Sequence, residues 1–162
     1  METQKTSFRA QLIKWSACSP GLEWWGERTL EEGIRDCPRG DWLLWLHTRV
    51  CPHDLQSRTL GKGHCANTVR HLMMKESQQA VDIAIAYGEG RATGQQLAAA
   101  KDAAYAAYTA AADPTAYTAA AYAAAYAAAA DAARKKNRME TANICREYIG
   151  QLLIDRVNEL LK

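Results

Sequence analysis

An alanine-dominated tract constrains this chain more than any other feature of the sequence. Of the 37 residues from Leu97 to Ala133, 23 are alanine. Alanine is the best helix former, so the tract predicts helix rather than disorder. The Asp113-Pro114 pair divides or kinks it, because proline lacks the backbone donor that a helix interior needs. Such helices approach one another closely but need larger side chains to fill the space between them.

The tyrosines of this tract are spaced so that two pairs each share a helix face. Tyr105 and Tyr108 lie three residues apart, and Tyr122 and Tyr126 lie four apart. One interpretation is that they supply packing area, since a buried aromatic side chain contributes about 150–250 Å². The other is a cleft in which the hydroxyls converge on a polar or planar ligand. The second interpretation makes these four tyrosines candidate binding residues.

Helical patterns extend over most of the remaining sequence. Amphipathic spacing predicts a first helix over residues 6–15, and Ser19-Pro20 is typical of a helix start. Two capping boxes follow, in which Thr29 is paired with Glu32 and Thr93 with Gln96. Further helices are predicted over residues 65–74 and 77–87. No segment alternates at period two, so we expect no sheet.

The fold class expected is therefore all-α, a single-domain multi-helix bundle with Ala/Tyr-rich C-terminal helices. A length of 162 residues suits one domain. We expect four regions: Trp-rich N-terminal helices over residues 6–50, a loop over 51–63, Ala/Tyr-rich helices over 94–136, and an amphipathic C-terminal helix over 139–161. The loop is inferred from Pro52, Asp54, Ser57, Gly61 and Gly63.

Charge and targeting signals are weak. Twenty Lys and Arg residues balance 18 Asp and Glu residues, for a net charge of +2. This balance argues against a protein held on nucleic acid or on an anionic membrane by its net field. Charged residues interrupt the alanine tract, so we expect no membrane helix. The first thirty residues show no secretion signal, and the five cysteines are scattered, so we expect a cytoplasmic protein with reduced thiols.

All five tryptophans lie within the first 45 residues, whereas every tyrosine lies at or beyond Tyr87. Trp24 and Trp25 are adjacent and point to different sides of a helix, so one partner can bury at most one of them. Burial of all five tryptophans is the first expectation. The alternative is an exposed tryptophan beside Arg28 or Arg39, which would form a stacking or protein-contact surface.

The Arg-Gly-Asp-Trp segment at residues 39–42 is the strongest candidate for a binding site. Asp41 is placed to cap the helix that contains Trp42, and a helix N-terminus offers amides that favour anions. Arg39 can add a charge-assisted contact to phosphate or carboxylate. The alternative is that Asp41 only caps the helix and Arg39 only pairs with Glu32 or Asp36. The candidate binding residues here are Arg39, Asp41, Trp24 and Trp42.

One group of residues has some resemblance to a metal site: Cys51, His53, His64 and Cys65. Its spacing fits no standard zinc pattern, so we expect no metal and no cofactor. A Cys-His hydrolase built on His64 and Cys65 would lack an orienting third group. We therefore expect that the protein is not an enzyme.

Several segments resemble a known family. They are Ala17-Cys18, Leu22-Glu23-Trp24 and the run from Cys37 to Leu46 that contains Arg-Gly-Asp-Trp, followed by the segments 80–84 and 88–92. These resemble a family of small α-helical proteins of phage and bacterial mobile elements that are labelled immunity proteins. The segment from Pro52 to Met74 departs from that pattern, because it is poor in aliphatic residues.

The resemblance implies neutralisation of a toxin or defence system by binding. The target is expected to be a toxin or defence protein, or a small nucleotide-like signal that is sequestered. An alternative from a different functional class is a structural protein, a helical module that associates with copies of itself into a homo-oligomer. A small hydrolase is the third.

Overall fold

The computed structural model describes residues 2–111 and 135–162, and all regular secondary structure in these ranges is helical. The all-α prediction is therefore confirmed. The helices are α1 (Glu2–Lys14), α2 (Ser19–Trp25), α3 (Leu30–Asp36), α4 (Gly40–Val50), α5 (Leu55–Asn67), α6 (Lys75–Gly88), α7 (Gly94–Ala111) and α8 (residues 135–160). A 3-10 turn, Arg70–Leu72, lies between α5 and α6, and a π-helical turn, Arg146–Gly150, lies within α8.

Both predicted capping boxes form. At the start of α3 the hydroxyl of Thr29 accepts a 3.1 Å hydrogen bond from the Glu32 amide, and the Glu32 carboxylate accepts one of 2.8 Å from the Thr29 amide. Thr93 and Gln96 make the same reciprocal pair at the start of α7, at 2.8 and 3.2 Å. Helix α2 begins at Ser19 itself, so the predicted start is displaced by one residue and Cys18 is the N-cap.

The predicted loop over residues 51–63 and the predicted helix over 65–74 are both wrong. Helix α5 begins after Asp54, whose carboxylate accepts a 3.0 Å hydrogen bond from the Ser57 amide. Gly61 and Gly63, which suggested a loop, lie within α5, and Gly63 allows α5 and α6 to approach closely. A Cβ at Gly63 would lie 2.8 Å from Cγ1 of Ile85, and a Cβ at Gly88 would overlap Leu60.

The hydrophobic core lies between α8 and the Trp-rich N-terminal helices. Helix α8 contributes five residues that are at most 1% exposed: Ala142, Cys145, Ile149, Leu153 and Val157. The other helices contribute Phe8, Leu12, Trp25, Leu30, Ile34, Cys37, Leu43, Leu46 and Val50. The amphipathic C-terminal helix predicted from its spacing is therefore the element around which α1 to α4 pack.

The alanine-rich region is described only in part, as α7. Tyr105 on this helix is 69% exposed, so it supplies little of the packing area that its spacing suggested. The side chain of Tyr108, the Asp113-Pro114 pair, Tyr122 and Tyr126 lie outside what the structure describes. Within residues 2–111 and 135–162, no helix combines the length and apolarity needed to cross a bilayer.

Candidate functional site

A pocket of about 450 Å³ opens between α1, α2 and α4. Its walls are mostly apolar and include Leu12, Trp25, Trp42 and Trp45, while Arg39 and Asp41 line it with charged groups. We refer to this cavity, defined by those six residues, as the tryptophan pocket. Its volume lies within the range of about 300–1,000 Å³ that small-molecule sites occupy.

The aromatic wall is positioned by ring contacts that join three helices. The Trp25 ring lies 4.9 Å from that of Phe8 on α1 and 5.9 Å from that of Trp24, and Trp24 lies 6.0 Å from Trp42 on α4. Trp25 also lies against Gly33 of α3, where a Cβ would overlap its ring. The absence of a side chain at residue 33 therefore lets the indole pack flat on α3 while it forms part of the pocket wall.

Arg39 and Asp41 form a bidentate ion pair at the pocket. The guanidinium donates to the two carboxylate oxygens at 3.0 Å from Nε and 2.6 Å from Nη2. The same guanidinium lies over the Trp42 ring, 4.8 Å from its centroid. Asp41 and Trp42 thus hold the Arg39 side chain in one place, and its charge stays beside an aromatic surface.

The prediction that Asp41 caps α4 is wrong. The helix begins at Gly40, its N-cap is Arg39, and the Arg39 side chain makes no capping hydrogen bond. Asp41 lies in the first turn of α4, where its negative charge interacts favourably with the positive end of the helix dipole. Arg39 pairs with Asp41 rather than with Glu32 or Asp36, since Glu32 belongs to the capping box and Asp36 pairs with Arg35.

The pair keeps both of its charges near neutral pH. Hydrogen bonds to Asp41 raise the pKa of Arg39 above its ordinary value. Burial acts to raise the pKa of Asp41, but the hydrogen bonds and charge of Arg39 lower it overall. Neither group is therefore poised to exchange a proton, and the pair is suited to binding and orientation.

The expectation that all five tryptophans are buried is wrong, since only Trp25 falls in the buried class, at 6% exposed. The prediction that Trp24 and Trp25 differ is confirmed. Each of three half-buried indoles carries an arginine over its ring: Arg28 over Trp24 at 4.5 Å, Arg39 over Trp42 at 4.8 Å and Arg49 over Trp45 at 5.5 Å. The alternative, an exposed tryptophan beside Arg28 or Arg39, is met only in its arginine neighbours, since these indoles are half-buried.

The structure brings together three of the predicted binding residues at one pocket. Arg39, Asp41 and Trp42 line the pocket, and Trp24 contacts Trp42 without lining it. Tyr105 lies on α7, away from these residues. Nothing is described of the side chains of Tyr108, Tyr122 and Tyr126.

The four residues of the supposed metal cluster have separate surroundings. His64 stacks on Tyr148, with ring centroids 4.3 Å apart, and Cys65 faces Cys145. Cys51 and His53 lie between α4 and α5. In the described part of the chain, no three His, Cys, Asp or Glu side chains are arranged to hold a metal ion.

Sequence reasoning missed Leu12, Trp25 and Trp45 as pocket residues. Leu12 comes from α1, which meets α4 only through the tertiary fold, so no local pattern indicated it. Trp45 did carry a signal, because it lies three residues after Trp42 and therefore on the same helix face.

A comparison with protein-family models finds no match, and comparisons with curated proteins and with solved structures find none either.

Proposed function

We propose that this protein is a non-catalytic binding protein that holds a small planar molecule bearing an anionic group, of which a nucleotide is the leading example, in the tryptophan pocket. The observation that carries the proposal is Arg39, whose guanidinium lies against the Trp42 ring at the edge of an indole-lined cavity. Stacking of a base on aromatic side chains contributes about 1–3 kcal/mol per base.

The polar groups of the pocket fit the anionic part of such a ligand. Asp41 uses Nε and Nη2 of Arg39, so the guanidinium keeps further N–H donors that can reach a phosphate or carboxylate oxygen. Trp25 lines the same wall, but its Nε1 is inaccessible to solvent and so offers the ligand no donor.

Sequestration gives this binding a biological role. In the proposal, the protein withdraws a nucleotide-like signal from a toxin or defence system and so neutralises that system without turnover, in keeping with the neutralisation by binding that the resemblance to immunity proteins implies. The protonation states of Arg39 and Asp41 support a role without proton transfer.

A thermal-shift screen against a panel of mono-, di- and cyclic nucleotides tests the proposal. A ligand that binds only the folded state stabilises it by about 2.7 kcal/mol at a hundred times its Kd. The expected result is a rise in Tm for at least one nucleotide, which is then recovered chemically unchanged from the complex. No shift across the panel would contradict nucleotide binding, and a converted ligand would contradict the absence of catalysis.

A toxin or defence protein is the second candidate target, favoured by Trp24. This indole is half-buried, lies under Arg28 and stands outside the pocket wall, as expected of a contact residue for a protein surface. The variant Arg28→Ala, which removes the guanidinium over Trp24 and keeps every ring that positions the pocket wall, distinguishes the two candidates. It should spare the binding of a small ligand and weaken the binding of a protein partner.

A further inference from the structure

Two thiols lie next to each other behind the pocket, in a place that the proposed function does not use. Cys65 on α5 and Cys145 on α8 are 80 residues apart in sequence, and their Sγ atoms are 3.7 Å apart. Both cysteines are free. The contact therefore joins two free thiols that belong to different helices.

Contacts on both sides of the thiols fix α5 against α8. On one side, Nδ2 of Asn137 donates a 2.8 Å hydrogen bond to Oγ1 of Thr68. On the other, His64 and Tyr148 stack with their rings 8° from parallel. Because both contacts belong to the folded state, the two sulfur atoms are held together and need no large movement to react.

The two thiols differ in access and in acidity. Cys65 is half-buried, whereas Cys145 is fully buried. A hydrogen bond from Cys145 lowers the pKa of the Cys65 thiol, and the same interaction raises the pKa of Cys145. Since the thiolate is the reactive form, Cys65 is the group that meets an oxidant and Cys145 is the group that follows.

We propose that Cys65 and Cys145 form a peroxide-sensitive pair that closes to an intramolecular disulfide between α5 and α8. The Cys65 thiolate attacks one oxygen of hydrogen peroxide, so that an S–O bond forms, the O–O bond breaks and the departing hydroxide takes a proton to become water. The sulfur of Cys145 then attacks the sulfenic sulfur of Cys65. The S–S bond forms, the S–O bond breaks, and the leaving hydroxide takes the Cys145 proton. Two thiols lose two electrons, and one peroxide becomes two molecules of water.

Closure would act on the segment that carries the pocket's charged pair. The sulfur atoms must approach by about 1.7 Å to reach the S–S bond length. In the reduced protein, Cys145 Sγ also contacts the Gly40 carbonyl oxygen at 3.5 Å, and Gly40 lies between Arg39 and Asp41. The inference concerns the thiols alone, and it stands or falls independently of nucleotide binding.

Peptide mapping of the oxidised wild-type protein tests the proposal. The protein is treated with a small excess of hydrogen peroxide, its remaining thiols are alkylated, and it is digested with trypsin. Residues 63–70 and 139–146 form two tryptic peptides with one cysteine each. We expect these peptides to appear linked, to separate on reduction, and to account for a fall from five free thiols to three. A main product with Cys65 oxidised to sulfinic acid, or with both thiols still alkylated, would overturn the proposal.

Two variants identify the attacking thiol. Cys51→Ala removes another half-buried cysteine and should form the linked peptides at the wild-type rate. Cys65→Ala should leave Cys145 reduced, because Cys145 is buried and has lost its partner. Oxidation of Cys145 at an unchanged rate in Cys65→Ala would contradict the assigned order. The wild-type mapping remains decisive if this variant fails to fold.

Discussion

The guanidinium of Arg146 donates a 2.6 Å hydrogen bond to the carbonyl oxygen of Cys37, a residue 109 positions earlier in the chain. Cys37 is the C-cap of α3, and the same guanidinium also reaches the Ile34 carbonyl at 3.5 Å. A cation from α8 thus satisfies carbonyl groups that the end of a helix leaves without partners, and its charge favours the negative end of the helix dipole. Arg156 makes a comparable contact to Val50 at the end of α4, at 3.2 Å.

Replacing Arg146 by methionine should therefore lower the free energy of unfolding by about 1–3 kcal/mol, because buried carbonyl groups lose a charged donor. Urea denaturation followed by circular dichroism measures the change. Arg35→Met is the matched control, since Arg35 is exposed and pairs with its neighbour Asp36 rather than with a helix-end carbonyl. Equal losses for the two variants would show that the contact to Cys37 does not stabilise the fold.

The close approach of α4 to α8 at Gly40 leads to a second prediction. A Cβ at this position would lie 2.6 Å from the backbone carbonyl of Thr141. Gly40→Ala should therefore cost about 1–3 kcal/mol, because neither backbone can move without disturbing the core. Gly94→Ala is the control, as no atom lies within 4 Å of the Cβ it would introduce. Thermal unfolding should show a lower Tm for Gly40→Ala only, and an unchanged Tm would mean that the two helices are farther apart.

His47 makes the stability of the fold depend on pH. The side chain is fully buried, and its Nε2 lies 3.5 Å from the Asp54 carboxylate. Burial lowers the pKa of His47 below its ordinary value of 6.5, and the charge of Arg58 acts in the same direction, while Asp54 partly opposes both. The unfolded chain therefore binds a proton more readily than the folded chain as the pH falls below about 6.5.

Stability should consequently be complete above pH 7 and should decline towards pH 5, by at most about 1.4 kcal/mol per pH unit for one proton. Urea denaturation at several pH values measures this slope. The variant His47→Gln should remove most of it, whereas His53→Gln, at an exposed position, should retain it. The acidic groups with lowered pKa values, such as Asp41 and Asp54, add their own losses only at lower pH. A wild-type slope that persists in His47→Gln would assign the effect to another group.

The sequence predicted those parts of the fold that depend on neighbouring residues. The Thr29 capping box forms as expected because its partners lie within one helical turn. The segment that became α5 was misread, because Gly61 and Gly63 indicate a loop when taken alone. In the structure, Gly63 allows close contact with α6 and Gly61 lies against Leu44 of α4, relationships between distant segments that local patterns do not encode.

The candidate site likewise has a part that the sequence could predict and a part that it could not. The proximity of Arg39, Asp41 and Trp42 could be predicted, because these residues are close in sequence. The prediction that Asp41 caps α4 was wrong. The pocket itself exists because α1 and α2 pack against α4, which brings Leu12 and Trp25 to the same cavity. That packing depends on the whole core and was beyond the reach of spacing arguments.

Asp41 provides a test of the charge of the ligand. Its carboxylate occupies two donors of Arg39 and would repel an anionic group that approaches them. Asp41→Asn should therefore tighten the binding of an anionic ligand several-fold, as measured by titration calorimetry at low salt. The same substitution should weaken the binding of a cationic ligand, so the direction of the change in affinity identifies the sign of the ligand's charge.

The dissociation constant of the best nucleotide from the screen, measured by titration calorimetry for the wild type, Arg39→Gln and Arg49→Gln, tests the account most directly. Both arginines lie over tryptophan rings, but only Arg39 lines the pocket. The account predicts that Arg39→Gln weakens binding by about tenfold or more, the value of one charge-assisted hydrogen bond, and that Arg49→Gln leaves it unchanged. Equal weakening by the two variants, or wild-type binding that is undetectable at millimolar nucleotide, would contradict a ligand site in the tryptophan pocket.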